Sequence, residues 1–187
     1  MPKQNLTLAG LLLSLALFAG CETWLPGGAV ATDKKGAFTV RAPSGWMYAT
    51  AFSQDFVASK DGPTLQQIWV QHHELKEALP HSKRVLTSSL QPFEVAEAVA
   101  DDLKANHELL NFEVVENTPA TVGGQPGFKL TFAFHTAEKL RLSETMYGCI
   151  SGGNLWLIRY RAPSRYYFER DGATFAETVK TFQFAKK

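Results

Sequence analysis

The chain has 187 residues, 45% of them hydrophobic and 20% charged, with 14 Gly and 9 Pro. That composition excludes a disordered tail, a collagen-like fibre, a coiled coil and a disulfide-stapled miniprotein. Lys3 is the only charged residue among the first twenty, and beyond it 18 basic residues balance 18 acidic ones. A balanced chain gives no electrostatic case for a nucleic-acid partner, which needs a basic stripe.

The first predicted element is an export signal. Lys3 is followed by an apolar run from Leu8 to Phe18 and then by Ala19-Gly20-Cys21. The run is too short to span a bilayer as a helix, which takes about 20 apolar residues. It fits the charged end, apolar centre and small-residue cleavage site of a secretory signal.

The segment Leu17-Phe18-Ala19-Gly20-Cys21 resembles the lipobox of bacterial lipoproteins, with Leu17 one place early and Phe18 in its slot. The resemblance implies cleavage before Cys21 and lipid chains on its sulfur and new amino group. Each buried CH2 of such chains holds the protein to a membrane by about 0.8 kcal/mol. Glu22 stands where an Asp would resemble an inner-membrane retention signal, so the expected address is the outer membrane, facing the periplasm. An ordinary secretory signal with an incidental Cys21 is the alternative.

Residues Glu22 to Gly36 show no periodicity and read as a tether, with an rms reach of roughly 20 Å. Trp24 and Leu25 would then lie near the membrane interface. The expected organisation is a signal at 1–20, a lipidated tether at 21–36 and a globular domain at 37–187.

Within that domain, Phe38 and Val40 alternate with Thr39 and Arg41, and Pro43-Ser44-Gly45 turns the chain. A second strand region runs through Phe52, then Asp55–Ser59, and Lys60-Asp61-Gly62-Pro63 turns again. The strand at Leu65–Glu74 is long. From Leu75 to Gln91 no period survives, and this locally basic connection is long enough to be a functional loop. Pro92 and Glu94 suit a helix start. Val95, Val99, Leu103, His107 and Leu110 then predict an amphipathic helix of about four turns.

Strand alternation resumes at Phe112. Phe128, Leu130, Phe132 and Phe134 alternate with Lys129, Thr131, Ala133 and His135. Strands at Leu140–Ile150 and Leu155–Arg161 flank Ser151-Gly152-Gly153-Asn154, a hairpin signal. Ser164 is the expected N-cap of a closing helix. Hairpins require an antiparallel sheet, and two amphipathic helices must cover its faces.

Three motifs carry a wider resemblance. Phe38-x-Val40-x-x-Pro43-x-Gly45-Trp46, Val122-x-Gly124-x-x-Gly127 and Tyr160-x-Ala162-Pro163-x-x-x-Tyr167 together resemble the PsbP-like fold family. That family also takes in a Ran-binding nuclear transport factor and many bacterial envelope lipoproteins. The resemblance implies an α+β fold, an α/β/α sandwich around a central antiparallel sheet. Its motif residues are bends rather than chemistry, and fold does not dictate function.

Catalytic patterns are weak. His72-His73-Glu74 draws attention, but neighbours on a strand point to opposite faces. A metal would need His73, or the His72/Glu74 pair, with a distant ligand such as His135; His73 and His135 are the candidates, beside a reading with no metal. Ser151 lacks a nucleophile elbow. Cys149 reads as a buried thiol, and Glu113, Glu116, Asp101 and Asp102 as solvated faces. The expectation is a non-catalytic binding or accessory module with no cofactor, anchored at Cys21 and serving an envelope protein partner. A small-ligand or metal carrier is the alternative, and an envelope hydrolase a weaker one. Candidate contacts are Lys76, His81, Lys83 and Arg84 in the loop, with Arg159 and Arg161 on one strand face.

Overall fold

The computed structural model describes residues 24–50 and 55–185. The signal segment, Cys21 and the strand end expected near Phe52 lie outside the described residues. In chain order the elements are β1 (Leu25–Pro26), β2 (Val30–Thr32), β3 (Phe38–Arg41), β4 (Met47–Ala49), β5 (Phe56–Ser59) and β6 (Gln67–Glu74). Then follow α1 (Pro92–Lys104), β7 (Leu110–Val122), β8 (Gln125–His135), β9 (Arg141–Ser151), β10 (Asn154–Pro163), α2 (Tyr167–Lys180) and β11 (Gln183–Phe184).

Eight strands form one antiparallel sheet in the order β1-β4-β5-β6-β10-β9-β8-β7, and β11-β3-β2 form a small second sheet. The central hairpins close through Gly123-Gly124 (φ 55° and 79°) and Gly152-Gly153 (φ 58° and 78°). Such left-handed pairs match the twist of the strands they join.

Each sheet face has its own core. On one, α2 and the small sheet bring Phe38, Val40, Phe175 and Phe182 against Phe56, Ile68, Ile158 and Tyr160. On the other, Val95 and Val99 of α1 and Leu79 and Leu86 of the long loop cover Phe128, Leu130, Phe132 and Leu155. The result is the α+β sandwich around a central antiparallel sheet that the motifs implied, with one outer layer completed by a small sheet.

One boundary of each helix differs from the sequence expectation, the end of α1 and the start of α2. Helix α1 starts at Pro92, where the Glu94 carboxylate accepts from the Gln91 N–H at 2.7 Å. It stops at Lys104, leaving His107 and Leu110 outside. Just beyond, the Asn106 side chain accepts from the Glu108 N–H at 3.0 Å, a local bond that competes with continued helix. Ser164 does not cap α2, because its hydroxyl meets that of Ser143 at 2.7 Å. The chain enters through Tyr166 (φ 73°, ψ −63°), with the Tyr167 N–H donating to the Arg165 carbonyl at 3.0 Å. That is the rare γ-turn, a strained geometry for a side chain of this size.

The expected tether is not loose from Trp24 onward. β1 pairs with β4 and β2 with β3. The Gly27 N–H donates to the Trp46 carbonyl at 2.7 Å. A Cβ at Gly27 would lie 2.0 Å from the Pro43 carbonyl oxygen, so the glycine that reads as linker permits close docking. The globular unit therefore reaches back at least to Trp24, which packs on Ala49, Val57 and Trp69.

Candidate binding site

The loop from Leu75 to Gln91 is packed and forms no helix. Leu75, Leu79 and Leu86 are buried in the core beneath it. Ala78 and Val85 form an isolated bridge, and the Leu79 N–H donates to the Arg84 carbonyl at 2.8 Å. The tip is fixed from below by Asp102 of α1. Its carboxylate accepts from the His81 N–H at 2.9 Å, the Ser82 N–H at 2.7 Å and the Ser82 hydroxyl at 2.9 Å. Asp102 reads as a solvated helix position, yet it is buried. The two exposed cations Lys83 and Arg84 follow directly at this anchored tip.

Across from the tip stands a charged platform set by strand register. Arg159 lies opposite Trp69 of β6, and Arg161 opposite Glu144 of β9. Glu144 is fully buried, at 0% side-chain exposure, and binds both guanidiniums: Arg159 through Nε, and Arg161 through Nε at 2.7 Å. Arg159 is 11% exposed and Arg161 38%. Their guanidinium carbons lie 4.7 and 5.2 Å from the Trp69 ring centroid, close enough for cation–π attraction. One buried carboxylate thus balances half the charge of two arginines, and the surplus cation faces outward at Arg161.

Platform and loop tip enclose a cavity of about 260 Å³. Arg159 and Arg161, with His73 and His81, give it a basic rim beside the buried Asp102 carboxylate, while Val99, Met146 and Leu157 supply an apolar floor. Of the candidate contacts, His81, Arg159 and Arg161 therefore meet at one place. Lys76 stands apart, bound to Glu74 at 2.5 Å; its ammonium group holds the Glu74 carboxyl below the ordinary range. The Lys83 ammonium donates back to the Pro80 carbonyl at 2.6 Å.

The histidines do not converge. His72 faces the α2 side, tilted against Trp156 with ring centroids 4.9 Å apart, and 2.6 Å from Asp55. His73 faces the cavity with Nε2 3.0 Å from the Glu77 carbonyl. His135 pairs with Arg141 at the far end of the sheet from His73, which pairs with Leu155. His73 and His135 therefore cannot share an ion. Cys149 is buried, 3.8 Å from the Val122 carbonyl, and burial pushes its thiol up to about 12. A thiol held protonated in this way is a poor nucleophile.

Two antiparallel layers of this order define a PsbP-like fold, and solved structures bear it out. The cyanobacterial PsbP, CyanoP, of Synechocystis sp. PCC 6803 superposes with TM-score 0.59 at 14% identity, over 90% of this chain and 96% of that one. A point mutant of the protein Mog1 gives TM-score 0.54 at 14% identity, over 83% and 94%. A Bacteroides thetaiotaomicron protein gives TM-score 0.51 at 12% identity, over 86% of this chain and half of its own. At such identities the likeness concerns the fold alone. No family model matches the chain, and no curated protein matches its sequence.

Proposed function

We propose that the chain is a lipid-anchored bacterial envelope protein, held at Cys21 on the outer membrane and facing the periplasm. It acts as a non-catalytic binding or accessory module for a protein partner. The observation that carries this reading is the Glu144–Arg159–Arg161–Trp69 platform beside the fixed loop tip. A rigid, partly desolvated guanidinium surplus suits an acidic side chain, because a planar fork already held in place loses little freedom on binding. The apolar floor of the cavity favours a second reading, a small anionic ligand with an apolar body.

The test compares crosslinked capture from native envelopes by wild type, Arg161→Gln and Lys180→Glu. Capture that falls severalfold for Arg161→Gln, weakens with salt and survives Lys180→Glu supports the platform. Equal capture by all three removes it. Native mass spectrometry of freshly purified protein decides the small-ligand reading, through an added mass lost in Arg161→Gln.

A further inference from the structure

The docking of residues 24–28 on the fold changes how the protein must sit on a membrane. Resting on the reading that Cys21 is lipidated, we infer that the β1–β4 edge of the sheet lies directly against the lipid bilayer. Only three residue steps separate Cys21 from Trp24, and at about 3.3–3.6 Å per residue they reach no more than roughly 11 Å. A tether of fifteen residues would let the domain tumble; this one cannot. Trp24 is already spent on the fold, packed over Ala49, Val57 and Trp69.

The side chains left at that edge are apolar. Leu25 is 45% exposed and Met47 42%, with Pro26 also exposed and paired to Met47. Leu25 pairs with Tyr48, which packs on the α2 side, so Leu25 and Met47 flank the edge from opposite faces. Pro26 has no N–H to leave unpaired in an interface poor in water. Exposed Arg41, held to the Gly28 carbonyl at 3.0 Å, supplies a cation at headgroup level. The same seating brings the arginine platform close to the membrane, since Trp24 and Trp69 share one cluster and both arginines lie over Trp69.

Spin labels at Met47→Cys and, on the opposite edge, Val115→Cys test this in the full lipidated protein on phosphatidylethanolamine–phosphatidylglycerol vesicles. Acylated Cys21 and buried Cys149 leave the introduced thiol as the labelling site. The two labelled strands, β4 and β7, stand six steps and so about 29 Å apart at ordinary strand spacing. The label at 47 should be relaxed more by lipid-soluble oxygen than by a water-soluble nickel chelate, with the reverse at 115. An acylated mass with equal aqueous exposure at both sites overturns the seating alone. Shielding of 47 from both reagents also overturns it, since a second copy or another protein would then cover the edge. An unacylated mass overturns the anchor reading and the seating with it.

Discussion

The two faces of the large sheet are built by the same strands yet bury different chemistry at neighbouring positions. On the α2 face, Tyr160 and Phe175 meet at 5.5 Å, Phe38 and Phe182 at 5.0 Å, and Thr131 and Thr145 satisfy each other at 2.9 Å. One residue from Thr145, on the opposite face, Glu144 is buried against two arginines. Period two lets a strand send one side chain into an aromatic core and the next into an ionic site. Burying Glu144 and most of Arg159 costs more desolvation than apolar side chains of the same shape would. The α2 side buries a carboxylate too, but there Asp171 and Asp61 both meet Arg170, whereas Glu144 alone meets two arginines; the unbalanced cation is what sets the α1 face apart.

The largest expected effect comes from breaking the ionic side. Glu144→Gln leaves Arg159 and Arg161 without their carboxylate and should lower the unfolding free energy by about 3–5 kcal/mol, read by urea denaturation. Phe175→Ala on the opposite face should cost a similar 3–5 kcal/mol. The two changes then separate on binding: at a temperature where both variants remain folded, capture by Glu144→Gln falls and capture by Phe175→Ala does not.

Next in size is the loop. Leu86→Ala removes a buried side chain and should cost about 2–5 kcal/mol, which would show that this connection belongs to the core of the α1 face. An exposed strap would lose almost nothing. Asp102→Ala should cost about 1–3 kcal/mol, because two backbone donors lose their acceptor. Hydrogen exchange should then quicken at His81 and Ser82 while the strands stay protected.

The smallest effect concerns Cys149 and appears only in alkali. Its thiol ionises near 9.0 when free and at about 12 when buried, so the folded state favours the neutral form. That contribution is fully present below pH 9 and is lost as pH rises towards 12. Cys149→Ala should therefore flatten the decline of stability over that window, measured by thermal melts against pH. An unchanged slope would contradict the burial of this thiol.

Much of the architecture was legible because it is local. The Phe128–Phe134 alternation, the Gly-Gly hairpins and Pro92 at a helix start are each signalled within a few residues. The helix end was not, because Asn106 stops a pattern whose apolar spacing continues to Leu110. Residues 24–36 read as a tether because the glycines that permit close approach also mark linkers. At the site, alternation alone puts Arg159 and Arg161 on one face. It could not supply Glu144 or Trp69, which reach the arginines only through the β9 and β6 registers. Asp102 was likewise invisible, since the backbone donors its carboxylate accepts from lie 20 and 21 residues away in the loop.

The most direct measurement places a photo-crosslinking amino acid at position 81, beside the cavity on the α1 face, and at position 177, exposed on α2. Both variants are irradiated in intact envelopes. A discrete adduct from position 81 that disappears in the Arg161→Gln background, with none from 177, is the predicted result. Adducts only from 177, or an adduct at 81 indifferent to Arg161, would contradict a binding face built on the arginine platform.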